Sequence, residues 1–276
     1  PPVGQTGEHD GPHASPPALT DLLALDERLR SALVAEARFS HVVAYGSVPQ
    51  GSADAFSDLE YWAFLDPARG AAFDVRAWLS ARLDVQHFVV NEFGTPTALL
   101  PGLRRVELHV AAQERLPEVE DWTPQHVRPD RMLVKDPDGR LARHLAVLAA
   151  RRTDAAGEVQ GTLDRLLNWL AFGLNVLARG ERIRAHELLG WVQGGLLRLA
   201  RLHAGRTGHW ANASRRAEQE LDAATLARYA GVTAGLDALE GAYANAVAWT
   251  LDLAAALSLR WPAALAAGLR AATMQA

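Results

Sequence analysis

In the stretch VVAYGSVPQGSADAFSDLEYWAFLD (Val42–Asp66), two acids, Asp58 and Glu60, open an otherwise apolar run. Alternate residues of a β-strand share a face, which puts these carboxylates on one side and within about 7 Å of each other. Leu59, Tyr61, Ala63 and Leu65 take the opposite side and are expected in the core. Two carboxylates that close repel at neutral pH unless they share a proton or a cation. Magnesium suits them, because it takes oxygen ligands and keeps positions open for substrate phosphates. Gly46 and Ser47 end the preceding apolar run. A glycine there lets backbone approach a ligand, and exposed N–H groups with the serine hydroxyl can hold a phosphate. Ser57, beside Asp58, is placed to brace the entry to the acidic strand. A third acid comes from RRVELHV (Arg104–Val110), where Glu107 stands between Val106 and Leu108, with His109 one pleat further on the same face. Glu107 reaches the same cation if the two strands are neighbours. Glu92, in the turn-like NEFG, is its rival. The plainer alternatives are a solvated edge strand for Asp58 and Glu60, and an ion pair with Arg104 or Arg105 for Glu107. His109 reads as a pocket wall or a solvated strand face rather than a base.

Short strands must carry these groups. HVVAY, LEYWAFL, QHFVVNEF, PTALL and RRVELHV are β-prone runs separated by turn residues, and the Pro101-Gly102 turn makes the last two a hairpin. A helix is expected from Leu19 to about Phe39, with Leu22, Leu25, Leu29 and Leu33 on one face, and a second in AAFDVRAWLSARL. After a Pro- and charge-rich connector the β signal ends. Leu163, Leu166, Leu167, Leu170, Leu174 and Leu177 follow helical spacing, as do Leu188, Leu189, Val192, Leu196 and Leu199, with Gly180 in the break. Further helical patterns cover residues 214–230 and 235–259. The expected fold is two-domain α+β: a leader over 1–18, a mixed-sheet domain over 19–125, and a helical bundle of about four to six helices over 126–276. Trp169, Trp191, Trp210, Trp249 and Trp261 are expected mostly in the core, and SRRAEQE at the solvated start of a helix.

The net charge of −4 leaves no basic surplus for phosphate backbones, which argues against a nucleic-acid binder or polymerase. There is no cysteine, so disulfides, zinc–thiolate sites and thiol nucleophiles are excluded. The N-terminal PPVGQTGEHDGPHASPPALT lacks the cationic start and apolar centre of a signal peptide, and its His9 and His13 have no further ligands beside them. The apolar region Gly241–Leu259 is interrupted by Asn245 and Asp252, so no membrane span is expected and the setting is read as cytoplasmic.

Gly-Ser, ten intervening residues, Asp-Leu-Glu and a later apolar-Glu-apolar strand together resemble the nucleotidyltransferase superfamily typified by DNA polymerase beta. YGSVPQGSADAFSDLEYWAFL and HFVVNEFGTPTALLPGLRRVELHV resemble its antibiotic-modifying branch, lincosamide nucleotidyltransferases first and aminoglycoside nucleotidyltransferases next; HWANASRRAEQEL (His209–Leu221) is a weaker match. The resemblance implies a Mg2+-dependent transfer of a nucleoside monophosphate, AMP from ATP, to a hydroxyl of a small antibiotic-like acceptor. Gly46 and Ser47 would grip the triphosphate, with Ser57 counted among the nucleotide-binding residues, Asp58 and Glu60 would ligate magnesium, and Glu107 would be a general base or a further metal ligand. Many members carry an arginine where this chain has Gln50, which fits the lincosamide-type branch and leaves Arg104, Arg105 or Lys135, the only lysine, to meet triphosphate charge. A homodimer also follows from the resemblance. Two other readings are a protein-directed nucleotidyltransferase of toxin–antitoxin type and a catalytically silent nucleotide-binding module. The large helical second half argues against the former, and retention of all three acids against the latter.

Overall fold

The computed structural model describes residues 18–69, 72–124, 126–152 and 154–274. Of the expected leader only Ala18 is among them, and His9 and His13 lie outside the described residues. The strands β1 (Phe39–Tyr45), β2 (Leu59–Leu65), β3 (His87–Val90), β4 (Pro96–Leu100), β5 (Arg104–Ala112) and β6 (Leu133–Lys135) form one sheet in the order β3-β4-β5-β2-β1-β6. β2 and β5 run parallel, and the other neighbours are antiparallel. The helices of this unit are α1 (Leu19–Ala35), α2 (Ser47–Gln50), α3 (Val75–Ser80), α4 (Pro129–Met132) and α5 (Arg140–Ala150).

Side-chain alternation decides the two faces of the sheet. Leu59, Tyr61, Ala63, Val106 and Leu108 pack on one face with Leu22, Leu25, Leu29 and Leu33 of α1. Asp26 lies within that apolar stripe, where the Tyr61 hydroxyl donates to it and Arg30 pairs with it at 2.8 Å. Burial and the negative charge of Asp26 push the Tyr61 phenol well above its ordinary pKa, so it remains a donor. On the other face Val43, Phe64 and Ala111 meet Leu141, Leu145 and Leu148 of α5 and a 3-10 segment over Gln113–Asp121.

Three local expectations change. α1 stops at Ala35, because Phe39 is needed as a buried residue of β1 and the chain turns between them, Phe39 N–H donating to Glu36 O at 3.2 Å. β6 falls in the connector, outside the five β-prone runs; its three residues carry no pattern of their own and are held by pairing with β1. The compact division lies between Arg152 and Thr153 rather than at 125/126, since β6 joins the sheet and α5 covers it.

The second unit holds α6 (Ala155–Ala178), α7 (Arg182–His203), α8 (Ala217–Glu220), α9 (Ala223–Ala230), α10 (Leu239–Ala256) and α11 (Ala263–Thr273). The expected leucines of α6 and α7 form its core with Tyr243 and Val247 of α10. Each such buried leucine contributes about 1.5–3 kcal/mol over an exposed one, so the spacing dictates which way α6 and α7 face. Close contact is met with a small residue: a Cβ on Gly173 would collide with the Tyr243 ring, whose hydroxyl donates to Ala185 O at 2.7 Å. The helix expected over 214–230 is divided into α8 and α9, preceded by turns in which the Ala213 and Arg215 carbonyls accept from the Arg201 guanidinium instead of continuing a helix. Trp210 and Trp249 are buried, whereas Trp191 is 63% exposed and stacks on Trp169. Among the described residues no helix is long and apolar enough to cross a membrane.

Candidate active site

The parallel pairing of β2 with β5 sets Glu60 directly opposite Glu107, and Trp62 opposite His109. Adjacent strands lie about 4.8 Å apart, so the two glutamates leave the same face side by side. Asp58 precedes β2 by one residue, and Arg105 lies two residues before Glu107 on the same face of β5. Arg105 Nη1 donates to Asp58 Oδ2 at 3.2 Å, and its Nη2 donates to Glu107 Oε1. Three carboxylates from two strands and one guanidinium therefore share one patch, in the order acid–arginine, acid–acid, tryptophan–histidine.

Burial pushes the Glu107 carboxyl above its ordinary value; Arg105 opposes this and Asp58 adds to it. His109 is driven down by burial and stacks on Trp62 at 4.2 Å with the rings within 2° of parallel. With Trp62 it forms a wall, the first of the two alternatives the sequence left for it. That wall continues into a cavity of about 460 Å³ lined also by Phe93, Pro96 and Val110. β4 pairs with β5 only as far as Thr97 opposite Glu107, so the later residues of β5 are left without that neighbour.

The Gly-Ser turn meets this patch from β1, whose Tyr45 is opposite Glu60. Gly46 has φ +79° and ψ −156°, a backbone state that side chains exclude, and a Cβ there would strike Glu60 Oε2. Glycine is thus required twice, by its own torsion and by the carboxylate lying against it. Ser47 starts α2 and is buried, and its Oγ has no hydrogen-bond partner among the described residues; the same holds for Ser52 Oγ. Buried hydroxyls without partners are rare and mark either an unmet ligand or ordered water. Gly51, at φ +78°, closes the turn, and Arg131 Nη2 donates to Val48 O at 3.4 Å behind it. Ser57 is different: its hydroxyl donates to Asp54 Oδ1 and accepts from Asp54 N–H, both at 3.0 Å. It braces the chain entering Asp58.

Of the three cations set against phosphate charge, only Arg105 reaches the acids. Arg104 faces α1 and pairs with Asp21 at 3.4 Å, and Lys135 Nζ donates to Glu36 O at 2.8 Å. Glu92, the rival acid, follows β3 in the turn before β4 rather than lying on β2 or β5. Ser52 was not singled out in the sequence, although the doubled Gly-Ser of GSVPQGS was a visible signal for it.

The donor set of Asp58, Glu60 and Glu107 is all oxygen and on one face, the ligand type that a hard divalent cation takes. Among the described residues it is His41, Asp136 and Asp138 that bring ligand atoms, a nitrogen and two oxygens, within 4.8 Å of one another; Asp58, Glu60 and Glu107 do not meet that distance. Those groups are already engaged. Asp136 accepts the Ala142 N–H at 2.9 Å; Asp138 accepts from Arg140 Nε at 2.7 Å and bonds His41 Nε2 at 2.9 Å. They tie β1 to the start of α5.

Residues 155–268 match the family model described as lincosamide nucleotidyltransferase-like, C-terminal domain. No curated protein matches the chain. Among solved structures, an aminoglycoside 6-adenyltransferase from Bacillus subtilis is similar at 14% identity over 91% of this chain and 96% of that one, with a TM-score of 0.39. A nucleotidyltransferase-like protein from Exiguobacterium sibiricum is similar at 17% identity over 85% and 74%, with a TM-score of 0.38.

Proposed function

We propose, from a second unit that matches the lincosamide nucleotidyltransferase-like C-terminal domain, that this chain transfers a nucleoside monophosphate, AMP from ATP, to a hydroxyl of a small antibiotic-like acceptor. The observation that carries the reading is the in-register Glu60–Glu107 pair beside Asp58 and the Gly46-Ser47 turn. Asp58 and Glu60 would hold Mg2+, with Glu107 as the third carboxylate. When bound, that ion would neutralise phosphate charge and steady the oxygens of an in-line displacement. Gly46 lets the backbone approach the triphosphate, and the unpartnered hydroxyls of Ser47 and Ser52 are positioned to donate to phosphate oxygens. Ser57 keeps Asp58 in place through Asp54.

Glu107 takes the proton of the acceptor hydroxyl as that oxygen bonds the α-phosphorus and the bond to pyrophosphate breaks. A carboxylate within hydrogen-bond reach of that hydroxyl is suited to accept the proton. The Trp62–His109 wall and its cavity would receive the organic part of a substrate. The second unit carries a cavity of its own, about 280 Å³ and lined in part by Gln193, Arg198, Asn212 and Tyr229.

Incubation with ATP, Mg2+ and a panel of lincosamides and aminoglycosides should give an acceptor heavier by one adenylate in mass spectrometry, together with pyrophosphate. Product formation that persists in Asp58→Asn would refute the metal assignment. Metal-dependent ATP binding with no product across the panel would refute small-molecule transfer.

A further inference from the structure

We propose that Arg105 is an internal counter-cation of the acid cluster, bridging Asp58 and Glu107 in the free protein and surrendering their oxygens when a divalent cation binds. This rests on the metal reading of Asp58, Glu60 and Glu107 given above. One guanidinium donates to Asp58 Oδ2 at 3.2 Å and to Glu107 Oε1, so two of the three carboxylates are drawn onto a single side chain. Those are the atoms that a cation shared by the cluster needs. Arginine and metal cannot both have them, and as like charges they also repel at that range.

The geometry permits the exchange. Arg105 is 44% exposed along its side chain, against 14% for Glu107, so the guanidinium has a solvent side to move into while the carboxylate stays. Among the described residues no further carboxylate pairs with it, and its backbone is fixed opposite Leu99 in the β4–β5 ladder. The movement is therefore one of rotamers and not of strands. Asp58 and Glu107 are two anions held by one cation, and a doubly charged ion matches both. The arginine in turn keeps the carboxylates from repelling one another until that ion comes, which makes metal affinity in the free protein weaker than the three acids alone would give.

The exchange is tested by calorimetric titration of the full chain with Mn2+, without nucleotide, for the wild type, Arg105→Gln, Arg105→Lys, Arg104→Gln and Asp58→Asn. Arg105→Gln should bind Mn2+ about tenfold more tightly, and Arg105→Lys by an intermediate factor, because one ammonium cannot serve both carboxylates bidentately. Arg104→Gln, the same charge change one residue away, should stay within about twofold of the wild type. Metal-free Arg105→Gln should melt at a lower temperature than the wild type and regain the difference with saturating Mn2+. Should Arg105→Gln fail to fold, Arg105→Lys against Arg104→Gln decides. Unchanged or weaker Mn2+ binding in the Arg105 variants, with binding lost in Asp58→Asn, overturns the exchange and leaves the metal reading standing. Binding retained in Asp58→Asn overturns both.

Discussion

Each unit of the chain sets an arginine against a glutamate, and the two arrangements end in opposite electrostatic states. In the second unit Arg201 is fully buried, and its donors are taken by the carbonyls of Ala213 at 2.7 Å, Arg215 at 2.5 Å and Arg206 at 3.3 Å and by Glu220. His209 adds a second contact to Glu220 at 2.7 Å. Burial opposes ionisation of Glu220, but Arg201 and His209 together overcome it and leave its carboxyl below the ordinary range. In the first unit burial also opposes ionisation of Glu107, and there Arg105 does not overcome it. One cluster is saturated by its own chain and organises the turns before α8. In the other, Arg105 spans Asp58 and Glu107 from a half-exposed position, and burial keeps Glu107 above its ordinary value. A charged pair is structural when its partners are complete and points to a ligand when they are not.

The contrast can be broken at four points, taken from the largest effect down. Asp58→Asn should reduce adenylyl transfer by about 10³-fold or more while leaving the urea midpoint nearly unchanged, since a part-exposed ion pair contributes at most about 1 kcal/mol. Arg201→Ala should do the reverse, losing about 3–5 kcal/mol of stability in urea unfolding because Glu220 and three carbonyls lose a buried partner. Gly46→Ala should affect both measurements, by about 1–3 kcal/mol in stability from the forced torsion and by a matching loss of turnover from displacement of Glu60. The smallest effect concerns pH. Glu107, raised in the folded state, contributes stability that is present below the ordinary carboxylate pKa and lost as pH rises through its folded value. Glu220, lowered, contributes stability that is present above the ordinary value and lost as pH falls through its folded value. Glu107→Gln should therefore stabilise the metal-free protein at pH 7.5 by about 1 kcal/mol or less, with no gain near pH 4, whereas Glu220→Gln should destabilise it at pH 7.5. Stability curves of both variants against pH that run in the same direction would remove the distinction drawn between the two clusters.

Much of this was legible along the chain where the signal is local. Strand alternation put Asp58 and Glu60 on one face, and Leu59–Leu65 and Pro96–Leu100 are strands over the residues expected. Helical spacing of the leucines in α6 and α7 was sufficient because apolar burial enforces one orientation. Where neighbours elsewhere in the chain decide, the reading fell short. β6 has no pattern and is held by β1, α5 belongs to the sheet unit through its contacts, and the helix expected over 214–230 starts only at Ala217, the Arg215 carbonyl being taken by Arg201, and breaks again where Asp222 caps α9.

The sequence by itself determined the types of group at the site and the faces they take, because a strand repeats every two residues and a helix every 3.6 whatever surrounds them. Only the tertiary structure decided that β2 and β5 are parallel neighbours with Glu60 opposite Glu107, that Arg105 rather than Arg104 or Lys135 lies among the acids, and that Gly46 gives its space to Glu60. Strand partnership and charge balance depend on groups far apart in the chain, and no local period encodes which of them will meet.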